Sequence, residues 1–258
     1  MESLIEIIGK SKKYRHIYKP TIERIIKDLS TRFPEKILEK KVKRKLHQIW
    51  GAYFSRPNFA KLTKRVKDRY KNGDNIKDIF REFLLLQTST KERIPILNEF
   101  YCKIFEVTGI PRSIVEYGCG INALTHPWMN NSIIYQGYDV DKELIDFINS
   151  CFESVILSKY AKVSLGDILV DEYPKSDIYL LLKVLTLFEH QEKGVTLKIL
   201  ERIPSNTIVV SFPTRSLTGK NKGMKDFYRK NFLQLVHSKK WQIREILFDS
   251  EIVFVINK

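Results

Sequence analysis

The chain reads as an α/β protein: a mostly parallel sheet with an antiparallel edge hairpin, preceded by an all-helical basic N-terminal domain. Three observations in its 258 residues carry this. From residue 113 onward, β-branched apolar runs alternate with helical periodicity, the pattern of a parallel sheet flanked by helices. Before residue 109 the periodic segments are helical. That part also holds the charge: residues 1–108 carry 26 Lys/Arg against 13 Asp/Glu, and residues 109–258 carry 19 against 17. Third, the apolar run Ser113–Tyr117 breaks into Gly118-Cys119-Gly120, a turn in which glycine lets the backbone pass close to a ligand.

Composition narrows the classes. No apolar run approaches the roughly 20 residues a membrane span needs. The start, Met1-Glu2-Ser3-Leu4-Ile5-Glu6, lacks the charge pattern and apolar stretch of a secretory signal, so a cytoplasmic protein is expected. Cys102, Cys119 and Cys151 are odd in number and show no Cys-x-x-Cys spacing, which predicts neither a disulfide framework nor a metal site. A net charge of +15 concentrated in one half suits a polyanionic partner, because each neutralised phosphate releases counterions.

Taken in order, Leu4, Ile5 and Ile8, then Ile22, Ile25, Ile26 and Leu29, predict helices over 3–10 and 20–29 around a basic loop holding Lys12, Lys13 and Arg15. A longer helix is predicted over Ile37–Gly51, with Leu38, Val42, Leu46 and Ile49 as its apolar stripe. Lys41, Lys43, Arg44, Lys45 and His47 crowd its other faces. Residues 59–71 and 76–86 add two helices. Thr88–Arg93 is expected to cap a further helix over Ile94–Phe105, and Gly109-Ile110-Pro111 marks the domain boundary, giving units 1–108 and 109–258. Strands are predicted at 113–117, 133–138, 161–165, 178–182 and 207–212, with helices over Lys142–Leu157, Gln191–Ile203 and Met224–Val236. Trp241–Phe248 and Ile252–Ile256 form the closing pair, and Pro213–Gly223 a basic loop.

Glu116, Asp139 and Asp167 each stand at a strand tip. Carboxylates are costly to bury without partners, so three at one edge point to a polar ligand. Asp139 lies roughly 20 residues beyond the glycines, where a ribose would be met. A dinucleotide oxidoreductase and an S-adenosylmethionine (SAM) methyltransferase share that geometry. Glu116 before the turn and the early Pro127 after it fit the oxidoreductase fingerprint poorly, which favours SAM, with Asp139 on the ribose and Asp167 on the adenine amine.

Several blocks then resemble one family. Ser89-Thr90-Lys91-Glu92-Arg93, Glu116-Tyr117-Gly118-Cys119-Gly120-Ile121-Asn122, Ser211-Phe212-Pro213-Thr214-Arg215-Ser216-Leu217 through Met224, and Lys45-Leu46-His47-Gln48-Ile49-Trp50-Gly51 are similar, in the same order, to the Arm/Rmt-type aminoglycoside-resistance 16S rRNA (guanine-N7) methyltransferases. The chain departs from their usual pattern at Glu116-Tyr117, at Asn122-Ala123-Leu124-Thr125 and at Thr186. The resemblance implies the class I SAM-dependent methyltransferase fold, which is Rossmann-like, and methylation of a guanine N7 in the decoding-site (A-site) helix. The substrate it implies is 16S rRNA within the assembled 30S subunit, modified by a monomer.

Carried over residue by residue, the resemblance implies that Arg93 grips the SAM carboxylate beside Gly118, Cys119 and Gly120. Asp139, Asp167 and the adjacent Ile168 would hold the nucleoside. Lys183, Glu189, Arg215 and Glu251 would serve activity, Lys183 also lying near the cofactor. RNA contacts are expected from Lys12, Lys13, Arg15, Lys41, Arg44, Lys45 and His47, and from Arg215, Lys220 and Lys222. Guanine N7 carries a lone pair and no proton, so the reaction needs positioning and no general base. Two alternatives compete: a SAM-dependent methyltransferase of another RNA, and a non-catalytic RNA-binding or assembly factor.

Overall fold

The computed structural model describes residues 2–51, 57–130, 132–214 and 223–258. Within them, strands β1 (Ser113–Tyr117), β2 (Ile134–Asp139), β3 (Ala161–Leu165), β4 (Ile178–Leu182), β5 (Thr207–Pro213), β6 (Gln242–Leu247) and β7 (Glu251–Asn257) form one sheet in the order β3-β2-β1-β4-β5-β7-β6. The pairs among β1–β5 are parallel, and β7 runs antiparallel to both β5 and β6. The order reverses between β1 and β4. In open α/β sheets ligands bind there, beyond the carboxyl ends of the strands.

Alternation along the strands explains the layers. Ile178, Leu180 and Leu182 of β4 enter one apolar core, and Tyr179 and Leu181 enter another, because successive side chains leave a strand on opposite faces. The helices before the sheet are α1 (Glu2–Lys10), α2 (Lys19–Ser30), α3 (Glu35–Leu46), α4 (Phe59–Lys71), α5 (Ile76–Leu84), α6 (Thr88–Arg93) and α7 (Leu97–Thr108). Helices α1–α3 close over their own cluster, including Ile8, Ile22, Ile26, Val42 and Leu46. Val66 of α4, Phe80 and Phe83 of α5 and Phe100 of α7 instead join the sheet's first core. Each such side chain removed from water contributes about 1.5–3 kcal/mol. Among and after the strands come α8 (Lys142–Ser154), α9 (Leu185–Gln191), α10 (Val195–Arg202) and α11 (Met224–Val236).

Four elements differ from the sequence reading. The helix expected over Ile37–Gly51 is α-helical only to Leu46 and continues as a π-helical turn, His47–Gly51. Thr88–Arg93 is a helix itself and not a capping box: the Thr90 hydroxyl donates to the carbonyls of Leu84 and Gln87. After the glycine turn, Gly120–Trp128 forms a fully buried 3-10 helix containing Pro127, where only irregular chain was expected. The helix expected over Gln191–Ile203 begins only at Val195, as α10, and an unexpected helix, α9, precedes it, the two parted by Gly194 at φ +74°. The left-handed turn that glycine permits hides the break from a periodicity argument.

Candidate active site

A cavity of about 640 Å³ opens beyond the tips of β1, β2 and β4, within the size range of small-molecule sites. Its floor is the turn after β1. Gly118 and Gly120 both take positive φ, +67° and +48°. A Cβ on Gly118 would stand 2.9 Å from Val184 Cγ1, and one on Gly120 would stand 2.7 Å from Gln87 Oε1. Glycine is therefore required twice here, by conformation and by space. Gln87 Oε1 accepts the Ile121 N–H at 3.1 Å, tying the start of α6 to the turn. Cys119 is buried beneath it, and burial pushes its thiol well above the ordinary range, which leaves it inert as a nucleophile.

One end of the cavity is cationic and rests on a buried polar chain. Arg93, at the end of α6, makes a two-point bond to Glu251 of β7, Nε to Oε2 at 3.0 Å and Nη2 to Oε1 at 2.6 Å. Its third donor, Nη1, reaches Asn122 Oδ1. Asn122 Nδ2 donates to both oxygens of Glu116, at 2.9 and 3.1 Å, and the Tyr135 hydroxyl adds a third donor at 2.7 Å. Lys183 Nζ lies 2.9 Å from Glu92 Oε2 and 3.5 Å from Glu251 Oε2, and the Ser211 hydroxyl donates to Glu251. Burial pushes the Glu251 carboxyl upward, but Arg93, Lys183 and Ser211 outweigh it and hold it below the usual carboxylate range. Arg93 and Lys183 both line the cavity and present cations that can receive a carboxylate.

Lys183 adopts φ +59°, a conformation a side-chain-bearing residue rarely takes. Its N–H is held by the Ser211 carbonyl and hydroxyl, both at 3.1 Å, so the strain is enforced by β5. Lys183→Gly and Lys183→Ala both remove the ammonium group. The glycine variant is expected to be the more stable by about 1 kcal/mol, since it alone relaxes the backbone. Urea unfolding of the two variants measures the difference.

The other end is acidic. Asp139 Oδ2 accepts the Gly120 N–H at 2.9 Å, and Oδ1 accepts those of Val140 and Asp141 at 2.7 and 3.2 Å. Burial, partly offset by these donors, raises its carboxyl to about 6. A carboxylate offers about four lone-pair sites, so beside these three donors one hydroxyl group can still bind. Asp167, buried at the tip of β3, accepts the Leu169 N–H on Oδ1 at 2.9 Å, and Ile168 lines the cavity beside it. The carboxylates can take the donors of a nucleoside, and Arg93 and Lys183 an acid group.

Not every expected residue comes to this cavity. Glu189 is directed into the start of α10: its carboxylate accepts from Gly194 N, from Thr196 N at 3.2 Å and from Thr196 Oγ1 at 2.7 Å. Burial pushes Glu189 upward, and those donors bring it below its ordinary value, as for a helix-capping acid. Glu251 supports the cavity from behind Arg93 and Lys183. Glu116 does line the cavity, at its floor, with its carboxylate held by Asn122 and Tyr135. Arg215, Lys220 and Lys222 lie outside the described residues. Lys12, Lys13, Arg15, Arg44 and His47 are exposed, and Lys41 lies over the Phe33 ring at 4.6 Å. Lys45 is the exception, donating across to the His190 carbonyl at 2.6 Å. The sequence reading missed Gln87, Ser211, Thr21, Arg24 and Gln191. The signal present was the spacing of Thr21 and Arg24 along the flank of the isoleucine stripe of α2.

Comparison with known proteins now adds to this geometry. The family model described as Ribosomal RNA methyltransferase (FmrO) matches residues 10–255. A 16S rRNA (guanine(1405)-N(7))-methyltransferase of Proteus mirabilis is 34% identical, covering 100% of this chain and 97% of its own length. One of Micromonospora echinospora is 30% identical, with the same coverage. The crystal structure of the 16S rRNA methyltransferase RmtF in complex with S-adenosyl-L-homocysteine superposes with a TM-score of 0.83 at 25% identity, over 100% of this chain and 97% of that one. The family model spans nearly the whole chain and the relatives match it over its full length: the chain belongs to the FmrO family of ribosomal RNA methyltransferases.

Proposed function

We propose that this chain is a SAM-dependent methyltransferase acting on N7 of a guanine in 16S rRNA, at the decoding-site helix of the assembled 30S subunit, and that the modification confers aminoglycoside resistance. The observation that carries the reading is the polarity of the cavity: Asp139 and Asp167 at one end, Arg93 and Lys183 at the other. The full-length likeness to guanine-N7 methyltransferases of 16S rRNA supports the substrate. SAM supplies an electrophilic methyl on sulfur. The C–S bond breaks as the N7 lone pair forms the new C–N bond, and no proton moves.

The protein's part is then placement. A guanine within a duplex cannot reach the cavity, so it must be flipped out, at an unstacking cost of a few kcal/mol. Phe227 of α11 lines the mouth and is 61% exposed, an aromatic face on which an extruded base can stack. Residues 1–108 carry the docking charge and also supply Thr21, Gln87 and Arg93 to the cavity, and α4, α5 and α7 share the sheet's core, so the boundary at 109 separates neither role nor packing. No helix among the described residues is long and apolar enough to cross a membrane, in keeping with a monomer that works on ribosomal subunits in the cytoplasm.

The test is incubation of purified 30S subunits with labelled SAM, followed by borohydride–aniline cleavage at 7-methylguanosine. Cleavage at a decoding-site guanine is expected. Label without cleavage would move the target atom, and label only in tRNA or naked rRNA would move the substrate. Affinity for S-adenosylhomocysteine should also depend on pH. The ionised Asp139 keeps an acceptor site for a ribose hydroxyl and the protonated form loses it, so binding is expected to tighten as pH rises through about 6. Calorimetry between pH 5 and 8, with Asp139→Asn as the flat control, measures this.

A further inference from the structure

Tyr18, just before α2, and Thr21 and Arg24 within it stand at three-residue spacing, beside the stripe of Ile22, Ile25, Ile26 and Leu29 in the helical cluster. This polar stripe is spent on one loop of the sheet. Thr21 Oγ1 donates to Asp167 Oδ2 at 2.8 Å, and Arg24 Nη2 and Nε approach the same oxygen at 2.9 and 3.3 Å. Arg24 Nη2 also donates to Gln191 Oε1 at 2.6 Å. The Tyr18 hydroxyl donates to Asp171 Oδ1 at 3.1 Å, while Asp171 Oδ2 accepts the Asp167 N–H at 2.7 Å. Asp167 is 5% exposed and Arg24's side chain 20%, so these bonds are largely shielded from water.

The same stretch is also sewn to the ribose side. Tyr18 N donates to the Val140 carbonyl at 2.8 Å, and Lys142 N donates to the His16 carbonyl at 2.9 Å, directly after Asp139. Thr21 itself lines the cavity, as does Ile49 from the π-helical turn. The acidic end of the cavity is therefore built jointly by the basic helices and the sheet.

Resting on the cofactor reading above, we infer that Arg24 and Thr21 are positioning residues for the adenine ring: they fix Asp167 through Oδ2, leaving Oδ1 to receive the exocyclic amine. Oδ1 accepts the Leu169 N–H and retains a second lone pair for that purpose. Without Arg24 and Thr21 the carboxylate keeps its charge and loses its aim. A staple that merely joined the two parts of the chain would not sense which base the cofactor carries.

That distinction gives the experiment. Calorimetry compares S-adenosylhomocysteine with S-inosylhomocysteine, whose carbonyl replaces the exocyclic amine, on the full-length wild type, Arg24→Ala, Arg24→Lys and Thr21→Val. The wild type is expected to prefer the adenosyl compound. Arg24→Ala should bind it ~10-fold more weakly, the scale of one lost charge-assisted hydrogen bond, while the inosyl compound changes little, so that selectivity collapses. Arg24→Lys should fall between. Thr21→Val, which preserves shape, should lose selectivity in the same direction, and it keeps the test available if Arg24→Ala does not fold. Equal weakening of both ligands, or unchanged affinity for both, overturns the inference. Absence of S-adenosylhomocysteine binding by the wild type overturns the cofactor reading beneath it.

Discussion

Arg93→Ala is expected to destabilise the fold by about 3–5 kcal/mol, the cost of leaving one member of a buried ion pair without the other. Glu251 is fully buried, and its two-point bond to Arg93 is its principal compensation. Lys183, at 3.5 Å, is shared with Glu92 and cannot replace a fork aimed at both oxygens. The double variant Arg93→Met with Glu251→Leu removes both charges from the same volume, and most of the stability should return. Binding of S-adenosylhomocysteine should not return, because the cation facing the cavity is still absent. Urea unfolding and calorimetry on the single and double variants separate the two roles. A double variant that binds the ligand like the wild type would make the pair a structural device alone.

Replacing Glu116 by Gln is expected to change how stability depends on pH, by roughly 3 kcal/mol between pH 5 and 8. Burial raises the Glu116 carboxyl; Tyr135, Arg93 and Asn122 oppose this, and it settles at about 7 against 4.5 in an exposed chain. Between those values the folded protein holds a proton that the unfolded chain has released. Stability contributed by this group is therefore greatest at low pH, declines as pH rises through that window and levels above about 7. Glutamine does not titrate, so Glu116→Gln should gain on the wild type across the same window. Asp139, raised to about 6, acts in the same sense in both proteins and cancels in the comparison. Melting curves of both proteins from pH 5 to 8 give the difference directly, and parallel curves would show that Glu116 is ionised throughout.

The sheet and most helices were legible because period and punctuation are local. Gly118 and Gly120 announced a turn, and the acids at three strand tips announced a polar ligand. The partners of those acids were not legible. Arg93 and Glu251 are 158 residues apart, and Arg24 and Asp167 are 143 apart, so the fold alone decides that they meet. Glu189 shows the converse error. The resemblance alone gave it a role in activity, yet the turn at Gly194 brings the N–H groups opening α10 onto its carboxylate. Glu116 was read as a ligand group from its place near the end of β1, and it does line the cavity, but its partners there, Asn122 and Tyr135, were not legible.

The place of β7 carries a consequence for synthesis. Glu251 opens that strand, and β7 inserts between β5 and β6 and not at an edge. A growing polypeptide that has not yet extruded residue 251 has Arg93 and Lys183 without their shared counter-charge, and β5 without its antiparallel neighbour. Such a nascent chain already holds most of its excess positive charge, in residues 1–108, and the buried pair of Arg93 and Glu251 closes only when the late-made strand joins the sheet.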